Sequence, residues 1–297
     1  MQPQKKEWEG TTQGGRYGQG FLYWILAVVK VSFLYPILFG VIPFYLIFGR
    51  KSYKAIFSYF RRQHHLSRWK AFWSTYRNHL IFGKVVLDKF ALLAGNHQQF
   101  SVDVENNDYF NALAESNKGF FIVSAHVGNF ELIVHFFQQN KKKINGIIFG
   151  GESENLQKRR VKILQNFNVN LIPVSTDMSH LFAIKKAIEE GEIVSIPCDR
   201  LWGSTKKYTA NFLNGEAHFP IGTFRFAAQL EAPVLTMFVM KEKGLHYRAY
   251  LKSLEPLQNE KSSQKQAEHL AKQYIALLEN IVRKYPEQWF NYYDFWK

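Results

Sequence analysis

The sequence predicts an α/β protein in which a central, mainly parallel sheet is flanked by helices and preceded by an N-terminal membrane-associated helical segment. Beyond residue 100, short apolar runs alternate with helical patterns, as in folds that place helices on the faces of a parallel sheet. Residues 21–48 carry a single charge, Lys30. The 297 residues are 46% hydrophobic and 21% charged, which suffices to bury a sizeable core and excludes a disordered chain.

Charge and cysteine content narrow the classes of partner and site. The 38 Lys and Arg against 24 Asp and Glu give a net charge of +14, which favours polyanions, anionic lipid headgroups or an acidic protein partner. Cys198 is the one cysteine, so an internal disulfide framework and a Cys-based zinc site are excluded. A single cysteine also fits a reducing compartment.

The first element in chain order is an apolar segment without any charge at residues 31–48. Eighteen uncharged residues just reach the length that crosses a bilayer, but Pro36, Gly40 and Pro43 interrupt them. A span and a kinked or re-entrant anchor are both compatible with this pattern, and a buried pair of core helices is the alternative. We predict that residues 1–49 form an N-terminal tail and a retained membrane anchor rather than a cleaved signal peptide.

The second element, residues 50–100, is basic and aromatic, and no acid follows the apolar segment until Asp88. Positive charge beside a membrane segment is held on the cytoplasmic side and attracts anionic headgroups. Aromatic and apolar residues recur at helical spacing in the same region, so we predict basic amphipathic interfacial helices. The alternative is an ordinary helix whose aromatic stripe packs on the core. The basic residues are Arg50, Lys51, Lys54, Arg61, Arg62, Arg68, Lys70, Arg77 and Lys84, and the stripe is Trp69, Phe72, Trp73, Tyr76 and Leu80.

The remaining residues, 101–297, are predicted to form one α/β domain. The apolar runs predict strands at residues 119–125, 144–149, 171–174, 193–196 and 233–240. Helical patterns occupy residues 130–139, 154–167, 179–190, 222–230 and 264–284.

The junction after the first of these strands carries a candidate catalytic pair, His126 and Glu131. Five residues on a regular helix turn about 140°, so the two side chains converge only if His126 ends the strand and Gly128 and Asn129 turn the chain. Glu131 would then accept a hydrogen bond from one ring nitrogen and leave the other as a general base. The alternative is a structural histidine beside a glutamate.

Several reaction classes lack their motifs in this sequence. It contains no nucleophile elbow, no phosphate-binding loop, no dinucleotide fingerprint and no zincin helix. Cys198 lies at a predicted strand end beside Asp199, and we interpret it as a small core residue rather than a nucleophile.

Four blocks in order resemble the lipid A biosynthesis acyltransferases, the bacterial lauroyl and myristoyl transferase family within the lysophospholipid acyltransferase superfamily. The block SAHVGNFE at residues 124–131 resembles the family's H-x-x-x-x-D/E motif, and IPCDR at 196–200 resembles its strand ending in Asp. PIGT at 220–223, followed by a helix and a strand, resembles its P-x-G-x segment, and YPEQW at 285–289 its terminal signature.

The resemblance implies transfer of a fatty acyl group from an acyl carrier protein or coenzyme A thioester to a hydroxyl or amine of a membrane lipid. His126 would be the general base and Glu131 its orienting partner, with no metal and no cofactor beyond the acyl thioester. The resemblance also implies a set of substrate-binding residues. These are Gly128, Asn129, Arg159, Asp199 and Arg200, of which the Gly128 and Asn129 amides and the Arg200 guanidinium are candidate oxyanion donors. Arg159 stands for the family's anion-binding Arg, for which Lys158 and Arg160 are the alternatives.

The expected partners are acyl carrier protein, anionic membrane lipids and a lipid acceptor, without nucleic acid, at the cytoplasmic face of a bacterial inner membrane. Because carrier proteins are acidic, we expect acyl carrier protein to be preferred over coenzyme A. Arg200 stands next to Asp199 where many lipid A enzymes carry Gln. With Trp8-Glu9-Gly10 ahead of the membrane segment, the chain resembles more closely relatives that acylate aminolipids or aryl polyene lipids. The competing hypothesis is a noncatalytic basic membrane- or nucleic-acid-binding protein.

Overall fold

The computed structural model describes residues 25–26, 28–132, 142–148, 164, 168–175, 177–201 and 206–296, apart from the side chains of Asn107 and Glu131. Its main sheet has seven strands in the order β1-β9-β8-β2-β5-β3-β4, and β6 and β7 form a separate two-stranded sheet. The strands are β1 (Ser101–Glu105), β2 (Phe120–Ser124), β3 (Ile144–Ile148), β4 (Val169–Pro173), β5 (Ile193–Pro197), β6 (Lys207–Phe212), β7 (Gly215–Pro220), β8 (Val234–Lys241) and β9 (His246–Leu254).

Seven α-helices are described alongside the sheet. Their bounds are α1 (Tyr35–Phe48), α2 (Arg50–Arg62), α3 (Arg68–Leu93), α4 (Asn107–Glu115), α5 (Ser179–Glu189), α6 (Gly222–Gln229) and α7 (Ser263–Lys284). Short 3-10 turns occupy Val31–Leu34, His97–Gln99, Phe130–Leu132 and Pro286–Gln288.

The predicted fold class is confirmed, because the sheet is mainly parallel and its central strands β2 and β8 are completely buried. Strand β2 pairs in parallel with both β5 and β8, and β3 pairs in parallel with β4 and β5. The antiparallel pair is β8 with β9. All five residues of β2 and all eight of β8 are buried, as expected for strands covered on both faces.

Each of the five predicted strands forms, as do the predicted helices at 179–190, 222–230 and 264–284. Of the predicted helix 130–139, the described part is the 3-10 turn Phe130–Leu132, and residues 133–141 lie outside the described residues. The predicted helix 154–167 also lies outside them, except for Leu164. The sequence analysis missed α4, β1, β9 and the β6–β7 hairpin.

Both faces of the sheet are covered by apolar side chains. On one face, Phe121, Val123 and Val194 pack with residues of α5, α6 and α7, such as Phe224 and Leu278. On the other face, Phe120, Ile122 and Ile193 pack with α4. The basic helices belong to the same core, since Ile56, Tyr59 and Phe60 of α2 and Ala71 of α3 lie in the first cluster.

The apolar helix α1 packs lengthwise on α3. Leu38 and Ile42 of α1 form a small buried cluster with Leu80, and a Cβ at Gly83 would lie 3.1 Å from the Leu38 side chain. The Tyr35 hydroxyl donates a 2.6 Å hydrogen bond to Asp88. Residues 31–48 form the one stretch in the described residues that is long and apolar enough to cross a membrane, and 17% of it is buried.

A buried ion pair fixes this helix pair to the sheet. Lys241 at the end of β8 lies 2.6 Å from Asp88 of α3, and both side chains are almost completely buried. Tyr35 and Tyr247 donate to the same carboxylate, so three donors satisfy its charge. Because breaking a buried pair leaves an uncompensated charge, this cluster holds α1, α3 and the sheet in one arrangement.

Candidate active site

The register of the central strands brings His126 beside Asp199. Ser124 of β2 is paired with Pro197 of β5, and the two strands run parallel. His126 and Asp199 each follow two residues after these partners, at the carboxyl edge of the sheet where ligands bind in open α/β folds. The site is therefore formed by residues 73 positions apart in the sequence.

Asp199 holds His126 by two hydrogen bonds. Nδ1 of the imidazole lies 2.7 Å from Oδ1 of Asp199, and the backbone N–H of His126 donates to Oδ2 at 3.0 Å. The Asp199 side chain is almost fully buried, whereas 23% of the His126 side chain is exposed. Nδ1 is thus hydrogen-bonded to a buried carboxylate, while the His126 side chain is partly exposed to solvent.

The protonation of Asp199 determines the tautomer of His126. Burial by itself would raise the pKa of Asp199, but the charge and hydrogen bonds of His126, together with the charge of Arg200, lower this pKa to about 2. An ionised carboxylate only accepts hydrogen bonds, so the proton between the two groups belongs to Nδ1. The lone pair of neutral His126 is therefore on Nε2, which has no hydrogen-bond partner among the described residues.

The C-terminal segment after α7 forms one wall of the site. The Phe290 N–H donates to the carbonyl of His126 at 2.9 Å, and the Gly128 N–H donates to the carbonyl of Gln288 at 2.9 Å. Between these two bonds, Val127 and Trp289 form an antiparallel bridge. The Trp289 indole N–H points to Oδ2 of Asp199 at 3.3 Å.

The turn after His126 requires glycine at position 128. Gly128 has φ of +51°, and a Cβ built on it would lie 2.0 Å from the carbonyl oxygen of Val239. Any other residue would combine an unfavourable backbone conformation with a collision against β8. Gly128 therefore allows the turn to pass close to the sheet.

The expectation that the Gly128 and Asn129 amides serve as oxyanion donors is corrected by their hydrogen bonds. The Gly128 N–H is already bonded to Gln288, and the Asn129 N–H donates to the carbonyl of Val239 at 2.7 Å. Both residues are buried. These amides hold the turn in place and are not available to a substrate.

Arg200 is the predicted oxyanion donor that still has an N–H group without a hydrogen-bond partner in the described residues. One guanidinium N–H donates to the Phe290 carbonyl at 2.7 Å. Its Nε is buried without a hydrogen-bond partner in the part of the chain that the structure describes. Arg159, the other predicted arginine, lies outside the described residues.

The role predicted for Asp199 is revised, whereas that of Glu131 stays a prediction. Asp199 was expected to bind substrate, but it is fully buried and bonded to His126, so it cannot reach a substrate. It occupies Nδ1, one of the two ring nitrogens to which the sequence analysis allows Glu131 to bond. The backbone of Glu131 belongs to the 3-10 turn Phe130–Leu132, and its side chain lies outside the described atoms.

Cys198 does not supply a nucleophile to the described part of the site. Burial raises the pKa of the Cys198 thiol to about 12, so it is protonated at neutral pH. Among the described residues, no group of three or more His, Cys, Asp or Glu side chains is arranged to hold a metal ion.

Comparisons with known proteins relate the chain to one family and to a solved structure. The family model described as bacterial lipid A biosynthesis acyltransferase matches residues 81–297. Among solved structures, the chain is similar to the 1-acyl-sn-glycerophosphate (LPA) acyltransferase PlsC from Thermotoga maritima, at 13% identity and a TM-score of 0.41, covering 91% of this chain and 96% of that one. No curated protein matches the chain significantly.

Proposed function

The chain belongs to the bacterial lipid A biosynthesis acyltransferase family, and from this premise we propose that it moves a fatty acyl chain from an acyl carrier protein thioester to a hydroxyl or amine of a membrane lipid. The observation that carries the proposal is the bond from His126 Nδ1 to the buried Asp199. It leaves Nε2 as a base on an imidazole side chain that is partly exposed. The family match spans both residues of this pair.

In the proposed reaction, Nε2 of His126 removes the proton from the acceptor hydroxyl or amine. The acceptor oxygen or nitrogen then attacks the thioester carbonyl, and the tetrahedral intermediate collapses with cleavage of the C–S bond. The imidazolium returns its proton to the departing thiolate, so the carrier leaves as a free thiol. A positioned base of this kind contributes about 10²- to 10⁴-fold to the rate. No covalent enzyme intermediate is formed.

Arg200 is our proposed donor to the developing oxyanion. Its charge adjoins the dyad, and its Nε–H has no partner in the described residues, which supports this role. Preorganised donors aimed at the oxyanion are usually the largest single contribution to acyl transfer. Arg159 remains our proposed contact for an anionic group of the substrate.

For the membrane, we place the protein on the cytoplasmic face of a bacterial inner membrane, with α1 in the interface. Large apolar side chains of α1 are exposed, among them Ile37 (60%), Phe44 (59%) and Phe48 (70%). Trp69 and Trp73 at the start of α3 are exposed as well, at 68% and 44%. An apolar surface beside basic helices is typical of proteins that bind anionic membranes.

For the donor, the basic helix α2 supports acyl carrier protein over coenzyme A. Its five cationic side chains are all exposed, and no acid lies between residue 50 and Asp88. An acidic carrier protein can meet several of these charges together, and complementary charge raises the association rate. The exposed cations of α2 are Arg50, Lys51, Lys54, Arg61 and Arg62.

The experiment that tests the function compares both donors with matched acyl chains in a reconstituted assay, with His126→Ala as the inactive control. We expect kcat/KM for the carrier-bound donor to be higher at low salt and to fall more steeply between about 50 and 300 mM salt, where the screening length drops below about 10 Å. Equal efficiency and parallel salt dependence would remove the carrier preference. A wild-type protein that transfers no acyl chain from either donor would contradict the function itself.

A further inference from the structure

The carboxylate of Asp199 has a third donor that comes from neither β2 nor β5. Oδ1 is bonded to the imidazole, and Oδ2 accepts from the His126 backbone and from the Trp289 indole N–H. Trp289 is 1% exposed, so water does not compete for this contact. An indole N–H is a donor only and needs an acceptor when it is buried.

The backbone around Trp289 is fixed from three directions. The bonds of Gln288 and Phe290 to the His126 turn set its register on one side. On a second side, the Gln288 amide accepts from the Lys241 N–H at 2.8 Å and donates to the Lys241 carbonyl at 2.7 Å. On the third, the Asn78 amide of α3 donates to the carbonyls of Glu287 and Trp289.

The indole ring is enclosed by aromatic side chains that fix its plane. Its centroid lies 5.0 Å from Phe295, 5.3 Å from Tyr59 and 5.5 Å from Phe212. Trp296 packs in the same cluster, 5.7 Å from Trp289, but its indole N–H donates to the Phe212 carbonyl. Two indoles thus share one environment, and only that of Trp289 is bonded to the dyad.

Resting on the proposed function, we propose that Trp289 is a positioning residue that fixes the Asp199 carboxylate and weakens its attraction for a second proton on His126. Its N–H holds Oδ2 in place, so that Oδ1 stays aligned with Nδ1 of the imidazole. It also takes part of the carboxylate's negative charge. Without this donor, the carboxylate would favour the imidazolium form of His126, which cannot act as a base.

The other titratable or charged residues near the dyad are not themselves replaced in a Trp289 variant. In the described residues, Arg200 and Cys198 flank Asp199 on its own strand end. From α7, the Tyr274 hydroxyl faces the same region and donates to the Ser124 carbonyl at 2.8 Å. A change in the pH dependence of a Trp289 variant therefore reports on the lost indole donor.

The test compares Trp289→Phe with Trp296→Phe in the full-length protein. Both variants remove an indole from the same cluster, but only Trp289→Phe removes a donor to Asp199. We expect Trp289→Phe to lower kcat by about 10- to 100-fold with KM within about twofold of wild type, since small misplacements of a reacting group are costly. The acidic limb of kcat/KM should move up by about half a pH unit or more. Trp296→Phe should keep the wild-type limb.

A second variant guards against a folding defect. Benzothienylalanine at position 289 keeps the shape of the ring and replaces the N–H by sulfur, so it should reproduce the kinetic change without loss of packing. NMR of isotope-labelled histidine gives a readout that does not depend on activity. The imidazolium form of His126 should persist to higher pH in this variant than in the wild-type protein. A wild-type pH limb and wild-type imidazole titration in the benzothienylalanine protein would overturn the proposal. A wild-type protein that shows no acyl transfer would instead contradict the proposed function.

Discussion

Cys198 and Asp199 are neighbours at the end of β5, and both are fully buried. The pKa of Cys198 is nevertheless raised, whereas that of Asp199 is lowered. Burial raises the pKa of Cys198 to about 12, because a desolvated thiolate is unfavourable. Burial acts in the same direction on Asp199, but His126 outweighs it and lowers its pKa to about 2. The hydrogen-bond partner, rather than depth in the core, decides which of the two side chains is ionised.

The unreactive thiol gives a residue-scale prediction. We expect the native protein not to be alkylated at Cys198 by iodoacetamide at about pH 8, because the thiolate is the reactive form and the side chain is inaccessible. Alkylation should become complete after denaturation, as measured by intact-protein mass spectrometry. A variant with Lys252→Cys on the exposed side of β9 is the positive control. Stoichiometric labelling of the native wild type would contradict the buried position.

At the scale of elements, helix α1 illustrates how packing limits what composition allows. Together with the preceding 3-10 turn, it forms a stretch, Val31–Phe48, that is long and apolar enough to cross a membrane. Its Leu38 and Ile42 are nevertheless buried against α3, and Tyr35 is bonded to the Asp88–Lys241 pair. A perpendicular span would carry this pair and Lys84, which lies 5.3 Å from the Tyr35 ring, towards the hydrocarbon, where charges are costly. We therefore interpret α1 as lying along one leaflet.

This interpretation predicts shallow immersion along the whole of α1. Single cysteines at Ile37, Phe44 and Phe48, labelled with a nitroxide in a protein carrying Cys198→Ala, should all report similar, shallow depths by power-saturation EPR in anionic vesicles. A label at Trp69 provides an interfacial reference. Depth that increases steadily to the bilayer centre and then decreases along the helix would show that α1 crosses the membrane.

The elements that the sequence analysis found and those that it missed differ in their physical signal. Strands β2 and β8 are covered on both faces, so they stand out as apolar runs. Strands β1 and β6 have exposed residues along their length and lack that signal. The β6–β7 hairpin carried a different sequence signal, the pair Asn214-Gly215. In the structure, Leu213 and Asn214 have φ of 50° and 67°. Asn-Gly is the strongest short-range hairpin signal, so it predicts a hairpin here, one residue later than the observed two-residue turn Leu213-Asn214.

For the whole molecule, the site is partly encoded in local sequence and partly in the order of strands. His126 could be found because it ends a clear strand in a motif of adjacent residues. Its partner Asp199 could not, because pairing of β2 with β5 is decided by packing across 73 residues. Trp289 is more distant still and reaches the dyad only because the C-terminal segment returns along the His126 turn. Local spacing pointed to Glu131, whose side chain lies outside the described atoms, so its role stays a prediction.

The central claim is that His126 and Asp199 act as one catalytic unit in acyl transfer. The most direct test is a double-mutant cycle of His126→Ala and Asp199→Asn, with kcat/KM measured on a carrier-bound donor and circular dichroism as a check of folding. Glu131→Gln combined with His126→Ala is the parallel cycle for the carboxylate nearest in sequence.

We expect each dyad variant to lose about 10²- to 10⁴-fold in kcat/KM. The double variant should be no worse than His126→Ala alone within about threefold, since residues that act as a unit are not additive. An active His126→Ala protein, or losses that multiply in the His126 and Asp199 cycle, would contradict the dyad.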